Sequence, residues 1–454
     1  MKWFRRWLDE WRPANVTMGA PIYPLLILFG LNAVDELDRA AFGVLLPDIR
    51  DHFGLTNSEA LTLVSLTTIA VLLIEVPLSF YVDRRNRVRI ATVGAGIWGI
   101  FALGTATAAS VPHLAFMRVG AGGGRAVVTP THNSLLSDYY RPESRVKVFS
   151  FHRQANSVGL ILGPLIGGVL GEAFGWRVPF VVFAIPTFLF VILALKMKEP
   201  PRGHWEREAG GAAYVEEEPA GVWESMQILY RVRTMRRIWC AMPFLAIALL
   251  GVAQLLALVY EEVFGLKAGA RGLIAAGVEP LQIVAVFFFM PRIAKIVMKD
   301  PTFLLRFVAI VGVFVGILMV GLAYAPNVAI AVLMHALISG TIGTLAPAFF
   351  AQLSLVAPAR VRAVGFSTIS LFGIPGIAIL LPLIGRISDR FGVQVSIVTL
   401  VPVTMICGLI LASAAKFVVH DMTAAFAAPD ADPAAIAAAV EAAKAASAET
   451  AATE

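Results

Sequence analysis

The chain has 454 residues, of which 58% are hydrophobic and only 15% carry a charged side chain, and its mean hydropathy is +0.77. A soluble domain has about 25% charged and about 45–50% apolar residues, so this composition excludes an ordinary soluble protein and predicts several membrane spans. The net charge of +6 does not indicate nucleic-acid binding, because the basic residues lie beside apolar segments rather than along one polar face.

The N-terminus forms a separate segment. Residues 2–12 alternate tryptophan and other apolar residues with Lys and Arg at helical spacing. This pattern predicts a helix that lies on an anionic membrane surface, with a frayed tail as the alternative. We assign residues 1–20 to this amphipathic segment on the cytoplasmic side.

Apolar segments long enough to cross a bilayer, which takes about 20 residues, then follow one another along the chain. They are residues 21–46, 59–80, 90–110, 112–138, 148–172, 178–197, 238–262, 271–296, 302–323, 327–354, 363–386 and 394–416. The segments form two groups, 21–197 and 238–416, separated by a polar linker at 198–237 and followed by an Ala-rich tail at 417–454. We therefore predict an all-α membrane protein with twelve transmembrane helices in two six-helix bundles.

Lys and Arg concentrate in alternate short loops, for example at residues 84–89 and 141–147. By the positive-inside rule, both termini, the linker and the tail face the cytoplasm, and we expect a multi-pass protein of a bacterial-type inner membrane. Residues 171–177, after the fifth span, resemble residues 385–392, after the eleventh. Two such halves with a cytoplasmic linker predict an alternating-access transporter with its site between the halves.

The first span carries five polar side chains, which are Asn32, Asp35, Glu36, Asp38 and Arg39. A charged side chain at the membrane centre costs about 3 kcal/mol on insertion scales, so four of them cannot face lipid. We predict that they line a water-filled pathway. Asp35 and Arg39 lie four residues apart, which is the spacing of an ion pair on one helix.

Arg118, Arg125 and His132 are spaced by seven residues and therefore share one face of the fourth span. Arg125 lies near the middle of that span, so we expect it to pair with the acids of the first span or with an anionic group of the substrate. His132 is either a satisfied core histidine or a site residue. Glu75 and His335 are lone polar residues that we interpret as helix contacts.

Three motifs follow in order along the first half. Residues 79–89 read S-F-Y-V-D-R-R-N-R-V-R, residues 118–126 read R-V-G-A-G-G-G-R-A, and residues 159–168 read G-L-I-L-G-P-L-I-G-G. They resemble the D-R-x-G-R loop, the R-x-x-x-G-x-G-x-A pattern and the glycine-proline motif of the major facilitator superfamily. Ser79 and Asn86 replace the two loop glycines of the superfamily pattern.

Within the superfamily, residues 31–49 resemble the N-Y-x-D-R…V-L-P-D-I pattern of spinster-like transporters. Organic-anion:cation symporters share the D-R pair, here Asp38-Arg39, and remain the competing assignment. Both families place a Glu where this chain has Arg125, which reverses the charge at that position.

The resemblance and the charge pattern together imply roles for individual residues. We assign proton coupling to Asp35 and Asp38, and substrate binding to Asn32, Glu36, Arg39, Arg125 and His132. We assign gating to Asp83, Arg84, Arg87 and Arg118. We assign helix packing to Gly159, Gly163, Pro164 and Gly167. Small residues allow close approach of helices, and Pro164 permits a bend.

We therefore predict a proton-linked secondary transporter for an amphiphilic, lysolipid-like molecule, because charges concentrate in the first half and the second half is mainly apolar. The alternatives are an organic-anion:proton symporter, a drug:proton antiporter and a transporter fold that acts as a receptor. No catalytic or metal-ligand grouping stands out on the spans, so we expect neither an enzyme nor a bound metal or cofactor. We expect a monomer whose partners are its small-molecule substrate, protons and membrane lipids.

Overall fold

The computed structural model describes residues 16–82, 85–201, 221–300, 302–344, 353, 356–357 and 361–426. These residues form helices and contain no strand, which confirms the predicted all-α class. The helices of the first half are α1 (Tyr23–Val44), α2 (Leu46–Phe53), α3 (Asn57–Val82), α4 (Arg87–Thr105), α5 (Val111–Arg125), α6 (Val128–Tyr139), α7 (Pro142–Phe174) and α8 (Val178–Ala194). Those of the second half are α9 (Val222–Arg231), α10 (Arg233–Glu262), α11 (Ala268–Lys299), α12 (Phe303–Ala323), α13 (Val328–Gly343), α14 (Arg362–Pro375), α15 (Leu381–Phe391) and α16 (Val393–Phe426).

Among the described residues, 7 helices are long and apolar enough to cross a membrane by length and composition. These spans lie in α3, α4, α7, α10, α12, the α14–α15 segment and α16. Helices α8 and α13 are apolar but shorter. Helix α1 is long enough but carries four charged side chains, which are Asp35, Glu36, Asp38 and Arg39.

The chain separates into two compact units whose borders differ from those of the two predicted bundles. Unit 1 contains Met1–Leu55, Leu63–Glu217 and Leu266–Gly277, and unit 2 contains Thr56–Thr62, Glu218–Gly265 and Val278–Glu454. The first turns of α3 therefore belong to unit 2, and the first turns of α11 belong to unit 1.

The fourth predicted span is two helices rather than one. Helix α5 ends at Arg125, a turn follows at residues 126–127, and α6 begins at Val128. Pro130 explains the break, because proline has no amide hydrogen and its ring clashes with the carbonyl group four residues earlier, that of Ala126. The interruption places Arg125 at a helix C-terminus, where a positive charge complements the helix dipole.

The eleventh predicted span is also interrupted. Helices α14 and α15 are joined by a π-helical turn at Gly376–Leu380. A Cβ atom on Gly376 would lie 2.6 Å from the carbonyl carbon of Pro243 in α10, so only glycine allows this contact.

Several predicted borders shift or fall outside the described residues. Within the predicted linker, residues 222–231 form α9, and α10 begins at Arg233 rather than at 238. Helix α16 continues to Phe426, into the region assigned to the tail. The predicted amphipathic helix at 2–12 lies outside the described residues, as do residues 202–220 and 427–454.

In unit 1, a row of glycines on α7 brings that helix close to α1. A Cβ atom on Gly159 would lie 2.7 Å from the carbonyl oxygen of Ala33, and one on Gly163 would lie 2.5 Å from that of Leu37. Gly167 makes the same kind of contact one turn further on, against Ala41. Glycines at this spacing let two helix backbones pack directly, so they determine where the charged residues of α1 lie.

Carboxylates near the ends of α7 and α15 bind the first turns of two other helices. In unit 1, Glu172 Oε2 accepts the amide hydrogen of Gly269 at 2.9 Å, at the start of α11. In unit 2, Asp389 accepts the amide hydrogens of Asn57 and Ser58 at 2.7 and 3.0 Å, at the start of α3. A negative charge is favourable at a helix N-terminus, so both contacts stabilise the helix that they cap.

A glycine precedes each of these carboxylates by four residues and packs on the same helix start. A Cβ atom on Gly168 would lie 2.5 Å from the carbonyl oxygen of Ala268, and one on Gly385 would lie 2.5 Å from the Cα atom of Ser58. Glu172 and Asp389, which lie in the weakly similar residues 171–177 and 385–392, thus take part in the same packing arrangement.

Gly163→Ala tests the α1–α7 packing. The added methyl group meets the backbone of Leu37, which cannot move cheaply, and overpacking of this kind lowers the free energy of unfolding by about 1–3 kcal/mol. Gly96→Ala in α4 is the matched control, because its Cβ atom would find its nearest neighbour at 3.9 Å. We expect the thermal unfolding midpoint to fall for Gly163→Ala only; equal midpoints for both variants would contradict this packing.

Candidate functional site

Asp38 and Arg118 form a buried ion pair in unit 1. Arg118 Nη1 lies 2.9 Å from Asp38 Oδ2, and the two side chains are only 7% and 2% exposed. The guanidinium carbon of Arg118 also lies 4.3 Å from the ring centre of Phe42 and 5.8 Å from that of Phe180. Because the pair is buried and two aromatic rings lie beside Arg118, it is suited to holding α1 and α5 together.

Asp35 and Arg125 form a looser and more accessible pair one turn away on α1. Arg125 Nε lies 3.6 Å from Asp35 Oδ1, beyond hydrogen-bond distance, and the side chains are 20% and 10% exposed. Asp35 Oδ1 has no hydrogen-bond partner, and Arg125 makes no hydrogen bond within the described part of the chain. Arg125 therefore retains hydrogen-bond donors for another molecule, whereas the Asp35 side chain is mostly buried.

Glu75 of α3 is a second carboxylate in the neighbourhood of Arg125. Its side chain faces the hydroxyl group of Thr129 and the positive charge of Arg125. The sequence singled out Glu75 only as an isolated polar residue. Its partners lie on α5 and α6, and no sequence spacing within α3 could have indicated them.

Arg39 differs from its predicted arrangement. The close ion pair that it makes is with Glu36, whose Oε2 accepts from Arg39 Nε at 2.8 Å, and not with Asp35 as the spacing predicted. The Arg39 side chain is 45% exposed. Asp35 instead faces Arg125, because the two lie on sides of α1 and α5 that the helix packing brings together.

Two pairs of polar side chains join other helices to α7. His132 Nδ1 of α6 lies 3.1 Å from His152 Nε2, and Asn32 Nδ2 of α1 donates to Asn156 Oδ1 at 2.6 Å. Sequence reasoning missed His152 and Asn156, although they lie four residues apart on one face of α7, which was a detectable signal. The contact with His152 gives His132 a partner within the protein, as expected of a core histidine.

Arg87 is the first residue of α4 and is fully buried. Its guanidinium group contacts Asp138, donates to Glu199 Oε1 and Ser134 Oγ at 2.8 Å each, and donates to the carbonyl oxygen of Pro200 at 3.1 Å. Arg87 thus ties the start of α4 to the end of α6 and to the segment that follows α8.

The other predicted gating residues, Asp83 and Arg84, lie outside the described residues. Within the described ranges there is no group of three or more His, Cys, Asp or Glu side chains that could hold a metal ion. The chemistry that unit 1 offers is therefore that of carboxylates, guanidinium groups, imidazoles and amides.

Comparison with known families gives a match over most of the chain. The sequence profile described as the Major Facilitator Superfamily matches residues 28–373.

Curated relatives match part of the chain. A probable L-galactonate transporter of Escherichia coli is 24% identical over 191 residues, and protein spinster homolog 1 of Xenopus laevis is 29% identical over 190 residues. These matches cover 42% and 40% of this chain and 42% and 36% of the relatives, so the chain spans less than half the length of either.

Solved structures resemble the whole fold. A bacterial homolog of the human lysosomal transporter Spinster, in an inward-facing and unoccupied conformation, superposes with a TM-score of 0.76. It is 20% identical in sequence, and the match covers 88% of this chain and 98% of that one. A D-xylose-proton symporter superposes with a TM-score of 0.67 at 16% identity, over 86% and 97% of the two chains. These likenesses show the fold.

The two ion pairs should differ in their effect on stability. Asp38→Asn leaves Arg118 as a buried cation without a negative partner, a change that costs about 3–5 kcal/mol. Asp35→Asn should cost much less, because Asp35 and Arg125 do not share a hydrogen bond and the Arg125 side chain is 20% exposed. Thermal unfolding of both variants in the same detergent checks this difference. A larger fall of the unfolding midpoint for Asp35→Asn than for Asp38→Asn would refute it.

Proposed function

Since the chain belongs to the Major Facilitator Superfamily, whose members are transporters rather than enzymes, we propose that it is a proton-linked secondary transporter of an amphiphilic molecule with an anionic head group. It is an integral, multi-pass membrane protein of the spinster-like type. The single observation that carries the proposal is that Arg125 lies 3.6 Å from Asp35 in unit 1 without a hydrogen bond between them.

Arg125 is the proposed binding group for the anionic head. A guanidinium group has five N–H donors in a planar fork that matches a carboxylate or a phosphate. None of these donors is used in a hydrogen bond within the described residues, and the side chain is 20% exposed. A lysolipid has a phosphate group whose oxygens match the donors of this guanidinium group.

Asp35 is the proposed proton site, because an ionised Asp35 competes with a substrate anion for Arg125. Protonation of Asp35 removes that competition and leaves Arg125 free to bind the anion. Proton binding and anion binding then favour each other by the same factor, as linkage requires. A site of this kind couples an anion to a proton moving in the same direction.

A short organic anion is the second candidate substrate. Its support comes from relatives named as transporters of L-galactonate, hexuronate and cis,cis-muconate, all of which are carboxylates. Such a substrate would also bind Arg125, but it would need polar partners around its whole surface. We propose Asn32, Asn156 and Thr129 of unit 1 as those partners.

The remaining assignments are also proposals. We place both termini and the linker in the cytoplasm and the protein in a bacterial-type inner membrane, because Arg and Lys concentrate in alternate loops. We propose two six-helix bundles at residues 21–197 and 238–416, and a monomer as the functional state.

A thermal-shift screen at pH 5.5 and pH 7.5 tests the substrate class. Purified protein is mixed with lysophosphatidylglycerol, galacturonate or tetraphenylphosphonium, which represent the amphiphilic anion, the short anion and the cationic drug. We expect the lysolipid to raise the unfolding midpoint, because binding to the folded state stabilises it, and Arg125→Gln to abolish the increase. Stabilisation by galacturonate alone would favour the second candidate, and stabilisation by the cation alone would refute anion binding.

The pH dependence of binding tests the proton site. For the wild-type protein we expect tighter binding of the stabilising anion at pH 5.5 than at pH 7.5. Asp35→Asn imitates the protonated carboxyl group, so it should bind the anion tightly at both values and lose pH-driven accumulation in proteoliposomes. Asp51→Asn, which neutralises an exposed carboxylate on α2, is the matched control and should behave like wild type. If Asp35→Asn retains the wild-type pH dependence, the proton site lies elsewhere.

A further inference from the structure

Three cations converge on one aromatic ring where α10 begins and α16 approaches its end. The guanidinium carbons of Arg233 and Arg237 lie 5.6 and 5.9 Å from the ring centre of Phe417, and Lys416 Nζ lies 5.0 Å from it. Arg233, Arg237 and Lys416 are all exposed, and all belong to unit 2. We call these four residues the basic cluster.

The basic cluster has no negative partner within the described residues. None of its three cations forms an ion pair there, and its one hydrogen bond runs from Arg237 Nη1 to Ser413 Oγ at 2.9 Å. The nearby carboxylate of Asp421 is buried, and its Oδ2 accepts the amide hydrogen of Thr234 at 2.7 Å. Like charges held together without a counter-charge repel one another, so an anion would bind here favourably.

Helix α9 presents exposed aromatic side chains on the adjoining segment. Trp223 and Tyr230 are 75% and 61% exposed, and their spacing of seven residues places them on one face of the helix. Met226 and Leu229 pack instead against the core of unit 2. Trp and Tyr are enriched where a protein meets the head-group region of a bilayer. The guanidinium carbon of Arg236 lies 5.3 Å from the ring centre of Tyr230, which adds a further cation.

We propose that the basic cluster binds the phosphate of an anionic phospholipid head group. The cations lie at the ends of two spanning helices, beside the exposed aromatic side chains of α9. This is the level at which the phosphate groups of a bilayer lie, whereas a phosphate ion in solution has no fixed position. The orientation proposed above puts this end of the helices in the cytoplasmic leaflet, where anionic lipids attract Lys and Arg. The site is separate from Asp35 and Arg125 and does not depend on the identity of the transported molecule.

Phosphatidylglycerol binding to the full-length protein in neutral detergent tests the proposal. We expect phosphatidylglycerol to raise the unfolding midpoint more than phosphatidylcholine, and native mass spectrometry to detect bound phosphatidylglycerol. The triple variant R233Q/R237Q/K416Q should bind phosphatidylglycerol at least tenfold more weakly, because it loses three positive charges that attract an anionic head group. Arg233→Lys with Arg237→Lys keeps the charge and should retain binding.

The matched control is R89Q/K147Q/K196Q, which removes the same charge from exposed positions of unit 1. It should retain phosphatidylglycerol binding, and an equal loss in both triple variants would overturn the proposal in favour of a general charge effect. Stabilisation of the wild type by inorganic phosphate equal to that by phosphatidylglycerol would overturn it in favour of a soluble anion. If R233Q/R237Q/K416Q does not fold, R237Q and K416Q are each expected to reduce the midpoint increase, and no reduction in either would overturn the proposal.

Discussion

The concentration of four charged side chains on one helix, α1, is the constraint on which the rest of unit 1 depends. Lipid offers these groups neither water nor counter-charges, so the protein itself must provide partners. Arg118 and Arg125 of α5 provide them for Asp38 and Asp35, and Arg39 provides one for Glu36. The positions of α1, α5 and α7 follow from the need to satisfy these charges.

The two interhelical pairs meet this need to different degrees. Asp38 and Arg118 are within hydrogen-bond distance and are covered by two aromatic rings, although Asp38 Oδ1 and Arg118 Nε make no hydrogen bond. Asp35 and Arg125 neutralise each other at longer range and leave donors and an acceptor unused. The two pairs therefore differ in distance and in exposure, although both join α1 to α5.

Small and conformationally special residues make this arrangement possible. Gly159, Gly163 and Gly167 let α7 lie against the backbone of α1, and Pro130 ends α5 so that Arg125 stands at a helix terminus. None of these residues carries charge, yet they determine which charges meet. The glycine and carboxylate near the ends of α7 and α15 are a second case, in which a short repeat in both halves produces the same packing on a helix start.

The sequence by itself determined the all-α class, the superfamily, the presence of many apolar spans and the concentration of charge in the first half, because these properties depend on composition and local order. It also indicated that Arg125 would meet either an acid of α1 or an anionic group of the substrate. Only the tertiary structure decided which acid: Arg39 contacts Glu36 rather than Asp35, and Arg125 faces Asp35. Helix rotation and the break at residues 126–127 decide those pairings. The rotation is determined by contacts between segments distant in the chain, whereas the break follows from the nearby Pro130. Only the tertiary structure likewise identified the partners of His152 and Asn156 and the members of the basic cluster, because in each case the partners lie on different helices.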